Sequence, residues 1–77
     1  MSRVISLKLV RLLRRERTRR GVSMNVLAKT CGLSQSMVSL LEREKRIPTI
    51  STLLRIAEAL DVDLWKLLKE ASSKRRE

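Results

Sequence analysis

Residues 27–41 of this chain read LAKTCGLSQSMVSLL, and the spacing within that stretch decides the fold. Ala28 falls where two helices would cross, and its small side chain lets their backbones approach. Four residues on, Gly32 takes the turn, where a positive φ would strain any residue with a Cβ. Six further on, Val38 plugs the second helix into the first. Leu27, Cys31, Leu33 and Leu41 complete an apolar set of the kind that fixes a steep crossing of two short helices. The positions between them, Lys29, Thr30, Ser34, Gln35, Ser36 and Ser39, are polar. The stretch therefore reads as two helices that are packed on one side and open on the other.

Working outward, three more helices are predicted. Before the stretch, Leu9, Leu12, Leu13 and the aliphatic stem of Glu16 recur at helical spacing over 6–20, with Ser6 as N-cap and Gly21 as terminator. Ser23 caps the second helix, from Met24 to about residue 30, and Ser34 caps the third, from Gln35 to about residue 43. Pro48 stops further helix and holds Ile47 extended. Thr49 caps a fourth helix over 50–60 with Leu53, Ile56, Ala57 and Leu60 inward. Asp63 caps a fifth over 64–71. The expected architecture is all-α, five helices in one domain spanning 1–77, with a folded core over about 6–71 and a frayed basic tail over 72–77.

Composition narrows the function. At 77 residues a domain buries only about 60% of its unfolded surface, so its core is marginal and dimerisation often supports it. Trp65 is the only aromatic residue, so the core must be aliphatic. Cys31, the one cysteine, has no disulfide partner. With no histidine it cannot build a zinc site. It also lacks a base to activate it and occupies a core position, which reads as a structural thiol. No Gly-rich phosphate loop or ligand cluster is present, so neither a cofactor nor an enzyme is expected. No apolar run approaches a membrane span or a signal-peptide core, and the expected compartment is the cytoplasm.

The net charge of +10 favours a polyanionic partner. Residues 1–20 carry Arg3, Lys8, Arg11, Arg14, Arg15, Arg17, Arg19 and Arg20 against Glu16 alone, residues 21–73 are almost balanced, and Lys74, Arg75 and Arg76 follow. Charge by itself does not tell DNA from an acidic protein surface.

The order of landmarks does more. Leu13-Arg14 and Arg17 precede Gly21-Val22-Ser23. Leu27-Ala28, Gly32-Leu33-Ser34-Gln35-Ser36, Val38-Ser39 and Leu41-Glu42-Arg43 follow, then Pro48, then residues 53–60 as LLRIAEAL with Asp61-Val62. In these features the chain resembles the lambda-repressor-like (Cro and repressor, XRE-type) helix-turn-helix proteins over about residues 9–68. The resemblance implies five helices whose second and third read double-stranded DNA, with the N-terminal half of the third directed at base edges in the major groove. Base readers would then be Gln35, Ser36 and Ser39, flanked by Met37 or Leu40. Gln35 can pair bidentately with adenine, and an apolar side chain can meet a thymine methyl. Phosphate contacts would come from the free amides near Met24 and Asn25 and from Arg43, Lys45 and Arg46. Arg17 would pair with Glu42 as a structural ion pair, since two half-buried opposite charges must meet to be tolerated.

Three positions depart from the family pattern. Met24 stands where Gln is usual and cannot brace a phosphate with its side chain. Glu44 stands where Gly commonly follows the Glu-Arg pair, so either it takes a positive φ or the third helix runs on. Asp61 replaces a frequent Gly, a milder change because Asp tolerates left-handed geometry.

One such unit reads few base pairs, so a homodimer on half-sites about 34 Å apart is expected. The fifth helix holds more large apolar residues than one packing face needs. Trp65, with Leu64 and Leu68, would form the dimer interface, unless Trp65 instead folds over the edge of the core. The leading expectation is a transcriptional regulator on a palindromic operator. The alternative is a protein-interaction module of the same fold, antitoxin or bridging factor in type, that binds an acidic partner through Arg11, Arg14 and Arg15.

Overall fold

Helices in this chain begin where a short polar side chain can take over an orphan amide. Ser23 Oγ accepts the Val26 N–H at 3.1 Å, Ser34 Oγ accepts that of Met37 at 3.0 Å, and Thr49 Oγ1 accepts that of Thr52 at 3.1 Å. Asp63 Oδ1 accepts the Trp65 N–H at 2.9 Å. The resulting elements, in a computed structural model that describes residues 2–73, are α1 Arg3–Arg19, α2 Met24–Cys31, α3 Gln35–Glu42, α4 Ile50–Ala59 and α5 Leu64–Ser72. No strand occurs among the described residues. The all-α, five-helix architecture is the one the spacing predicts.

The start of α1 differs from the sequence reading. Its N-cap is Ser2, whose Oγ accepts the Ile5 N–H at 3.1 Å. Ser6 is instead buried inside the helix, and its hydroxyl donates back to the Ser2 carbonyl at 3.0 Å. The cap of α1 thus lies four residues earlier than expected. At the other end α5 extends to Ser72, and most of the expected frayed tail, residues 74–77, lies outside the described residues.

Four helices end in the same way. The amides of Val22, Leu33, Lys45 and Val62 bond back to the carbonyls of Arg17, Ala28, Leu40 and Ala57 at 2.9–3.1 Å. The residue before each amide is left-handed: Gly21, Gly32, Glu44 and Asp61. Such closures satisfy the orphan carbonyls of a helix end. Glu44, at φ 61°, settles the alternative left open at that position: α3 stops and the chain turns, at a strain of about 1–2 kcal/mol that glycine would not carry.

The core is aliphatic. Leu9, Leu27, Val38 and Leu53 are its most enclosed side chains. Helix α1 lies against α3, α4 and α5, while α2 packs on α3 and α4. Cys31 is buried among these residues and burial pushes its thiol pKa up, which keeps it protonated and inert. From α5 come Leu64, Leu67 and Ala71. Leu64 is therefore committed to the protomer's own core, which corrects its assignment to a dimer interface.

One carboxylate is enclosed as well. Glu16 is only 6% exposed and accepts from Arg19 at 2.6 Å, Arg15 at 3.3 Å and Arg20 at 3.4 Å. Arg19 foremost, then Arg15 and Arg20, hold its pKa below the usual carboxylate range. A lowered folded-state pKa contributes stability that is full above the unfolded value and is lost as pH falls through the folded one. Urea midpoints should therefore fall on acidification below about pH 4.3. Glu16→Gln should be less stable at pH 7 and flatter on the acid limb. An acid limb as steep in Glu16→Gln as in the parent would rule Glu16 out as its source.

Candidate nucleic-acid interface

The turn between α2 and α3 sets the relation of the two helices. Gly32 closes α2 at φ 72°, ψ 30°, and a Cβ built there would sit 2.9 Å from Arg55 Nη2. That guanidinium donates to the Gly32 carbonyl at 3.3 Å, so α4 fastens the turn from outside. Sequence reasoning did not single out Arg55. Its partner lies 23 residues away and no local pattern in α4 points to it.

Once the turn is closed, Val38 and Leu41 go into the core and the rest of α3 follows at about 100° per residue. Ser36, Ser39, Leu40 and Arg43 fall on the side opposite the buried pair, with Gln35 on the flank nearer Glu42. Gln35, Ser36 and Arg43 are exposed, and Ser39 and Leu40 are half-buried. Met37, also half-buried, packs against the core cluster on the flank of α3 nearer the core. Leu40 remains as the apolar side chain on the outer stripe.

At the N-terminus of α2, Ser23 satisfies the amides of Val26 and Leu27. Those of Met24 and Asn25 have no acceptor among the described residues. The Met24 side chain packs on the core cluster while Asn25 is exposed, so this helix end offers backbone donors and the positive end of a helix dipole.

Electrostatics sort the cations into two groups. Most arginines of α1 meet a carboxylate, while Arg3 and Lys8 of the same helix have no carboxylate partner among the described residues. Arg11 holds Glu44 with two bonds of 2.8 and 2.9 Å, and Arg15 holds Glu70 at 3.0 and 3.4 Å. Arg17 Nε and Nη2 donate to Glu42 at 2.6 and 2.8 Å while its Nη1 donates to the Val22 carbonyl at 2.7 Å. Arg14 approaches Glu42 at 3.8 Å. An acidic partner docking on Arg11 or Arg15 would have to displace these carboxylates. Arg43, Lys45, Arg46, Lys29 and Arg55, by contrast, have no carboxylate partner among the described residues. Beside α2 and α3, five cations are thus left without a carboxylate partner among the described residues, whereas on and just after α1 six arginines share Glu16, Glu42, Glu44 and Glu70.

Away from this face, α5 exposes Trp65 at 64%, with Leu68 half-buried, and α4 exposes Ile50 and Leu54 one turn apart. Trp65 does not close over the core edge. No helix among the described residues is long and apolar enough to cross a membrane.

Comparison with known proteins agrees with this geometry. A family model described as helix-turn-helix matches residues 13–64. Over 50 residues, 65% of the chain, the sequence is 40% identical to the HTH-type transcriptional regulator SutR of Escherichia coli (strain K12), of whose length that match covers 28%. The crystal structure of the wild-type restriction-modification controller protein C.Esp1396I superposes with a TM-score of 0.79 at 25% identity, covering 99% of this chain and 100% of that one.

Proposed function

Because this chain belongs to the helix-turn-helix family, we propose that it is a sequence-specific transcriptional regulator that binds a palindromic operator in double-stranded DNA as a homodimer. The observation that carries the reading is the outer stripe of α3, uncharged at its reading positions and bordered by cations that have no carboxylate partner among the described residues. Gln35 would read adenine in the major groove, Ser36 and Ser39 would bond to base edges, and Leu40 would meet a thymine methyl. The Met24 and Asn25 amides, Arg43, Lys45 and Arg46 would grip phosphates on either side. The Arg17–Glu42 pair would hold α3 to α1 without touching DNA.

Trp65 and Leu68 on α5 would anchor the second protomer, Trp65 being the largest exposed apolar side chain and of the type enriched at interface centres. The likeness to a restriction-modification controller protein supports the regulator reading, and such a regulator would work in the cytoplasm on the nucleoid. Selection of bound sequences from random DNA, followed by titration of the selected duplex, tests the reading. Gln35→Ala should lose about 10- to 100-fold on the selected site, the worth of one bidentate base contact, and little on bulk DNA. Selected and bulk DNA bound equally well by the parent, with Gln35→Ala unchanged on both, would overturn it.

A further inference from the structure

Glu44 is out of place on the DNA side of the molecule. It is flanked in sequence by Arg43 and Lys45, two of the cations that have no carboxylate partner among the described residues, and it takes a left-handed φ of 61° that glycine would adopt without strain. An unmasked carboxylate in this loop would repel the phosphates that its neighbours are placed to attract. Its charge is instead met from another helix. Arg11, 33 residues earlier on α1, reaches across and takes both carboxylate oxygens, Nε to Oε2 at 2.8 Å and Nη2 to Oε1 at 2.9 Å. The same contact holds the Glu44 carboxyl below its usual range, with Arg14 adding to the effect.

We propose that Arg11 is an electrostatic mask for the recognition-helix terminus: by pairing with Glu44 it lets Arg43, Lys45 and Arg46 act on the phosphate backbone as an unopposed cationic loop. This rests on the DNA-binding reading above and deepens it. Arg11 acts through Glu44 and makes no DNA contact of its own. With the pair intact, Arg11 and Glu44 together contribute no net charge. Arg11→Ala leaves a bare negative charge in the loop, and the double variant Arg11→Ala/Glu44→Gln returns the pair to neutrality. Both positions are partly solvent-exposed, Arg11 at 63% and Glu44 at 31% of the side chain, so the variants should fold, and thermal melts of each confirm it.

The test titrates a fluorescent random-sequence DNA duplex with parent, single and double variants over a range of salt. Cancelling one effective cation should cost Arg11→Ala on the order of tenfold in affinity at 0.1 M salt, and should flatten its log–log salt slope by about 0.9. The double variant should recover parental affinity to within about twofold and the parental slope. A double variant as weak as Arg11→Ala would overturn the mask and make Arg11 a direct phosphate ligand. Arg11→Ala binding as tightly as the parent would overturn it too. A parent that binds no DNA at any salt would instead overturn the DNA-binding reading, and the mask with it.

Discussion

Arg17→Ala should cost about 3–5 kcal/mol of folding free energy, the loss expected when one partner of an enclosed ion pair is removed. The Arg17 and Glu42 side chains are only 12% and 11% exposed. Two parallel bonds of 2.6 and 2.8 Å join them, and a third, at 2.7 Å, caps the Val22 carbonyl. Truncation leaves the Glu42 carboxylate in the last turn of α3, where the helix dipole also opposes it. The nearest remaining cation, Arg14, stands 3.8 Å away with its side chain 59% exposed. At roughly 0.05–0.15 kcal/mol per residue, the whole domain has about 4–12 kcal/mol to lose, so the variant should be largely unfolded or melt at least about 12 °C lower. Replacing both partners, Arg17→Met with Glu42→Leu, should recover much of the loss because no buried charge is left alone. A cost below about 1 kcal/mol for Arg17→Ala would place the pair among ordinary surface bridges.

That pair shows why some contacts were legible from the sequence and others were not. Arg17 and Glu42 are connected by resemblance to a family, and each lies on the inner side of its helix by spacing. Arg11–Glu44 and Arg15–Glu70 span 33 and 55 residues between exposed or partly exposed side chains, and helical periodicity carries no information about which surface charges meet. The basic run of residues 3–20 is therefore partly spent in folding on Glu16, Glu42, Glu44 and Glu70, which the sequence alone does not show.

Helix starts were readable wherever a short polar residue stood immediately before an apolar repeat, as at Ser23, Ser34, Thr49 and Asp63. Ser6 misled because the same residue type inside a helix can turn its hydroxyl back to the carbonyl four residues earlier, here Ser2. For the candidate site, polarity at Gln35, Ser36 and Ser39 was enough to mark the outer face of α3. It could not rank Met37 against Leu40. That depends on which flank α1, α2 and α4 cover, a tertiary fact. Leu64 posed the same difficulty on α5, where three leucines and a tryptophan fall within five residues and only packing decides which face inward.

The second large effect concerns the loop after α3. The triple variant Arg43→Ala/Lys45→Ala/Arg46→Ala should keep its fold, since all three side chains are exposed and none has a carboxylate partner among the described residues. Surface changes of this kind usually alter stability by less than about 0.5 kcal/mol. DNA affinity should respond strongly. If each cation displaces one condensed counterion, the log–log salt slope falls by about 2.7, and the loss of affinity between 50 and 200 mM salt shrinks by about 40-fold. The weakening should be nearly the same on selected and bulk DNA, because phosphates carry no base identity, while Gln35→Ala lowers the ratio between the two. Crossing the variants separates grip from reading: the losses should add, as expected for contacts with different partners. An unchanged slope in the triple variant would remove this loop from the phosphate backbone and leave the α2 N-terminus as the main grip. A collapse of the selected-to-bulk ratio with the slope intact would mean that these cations read bases.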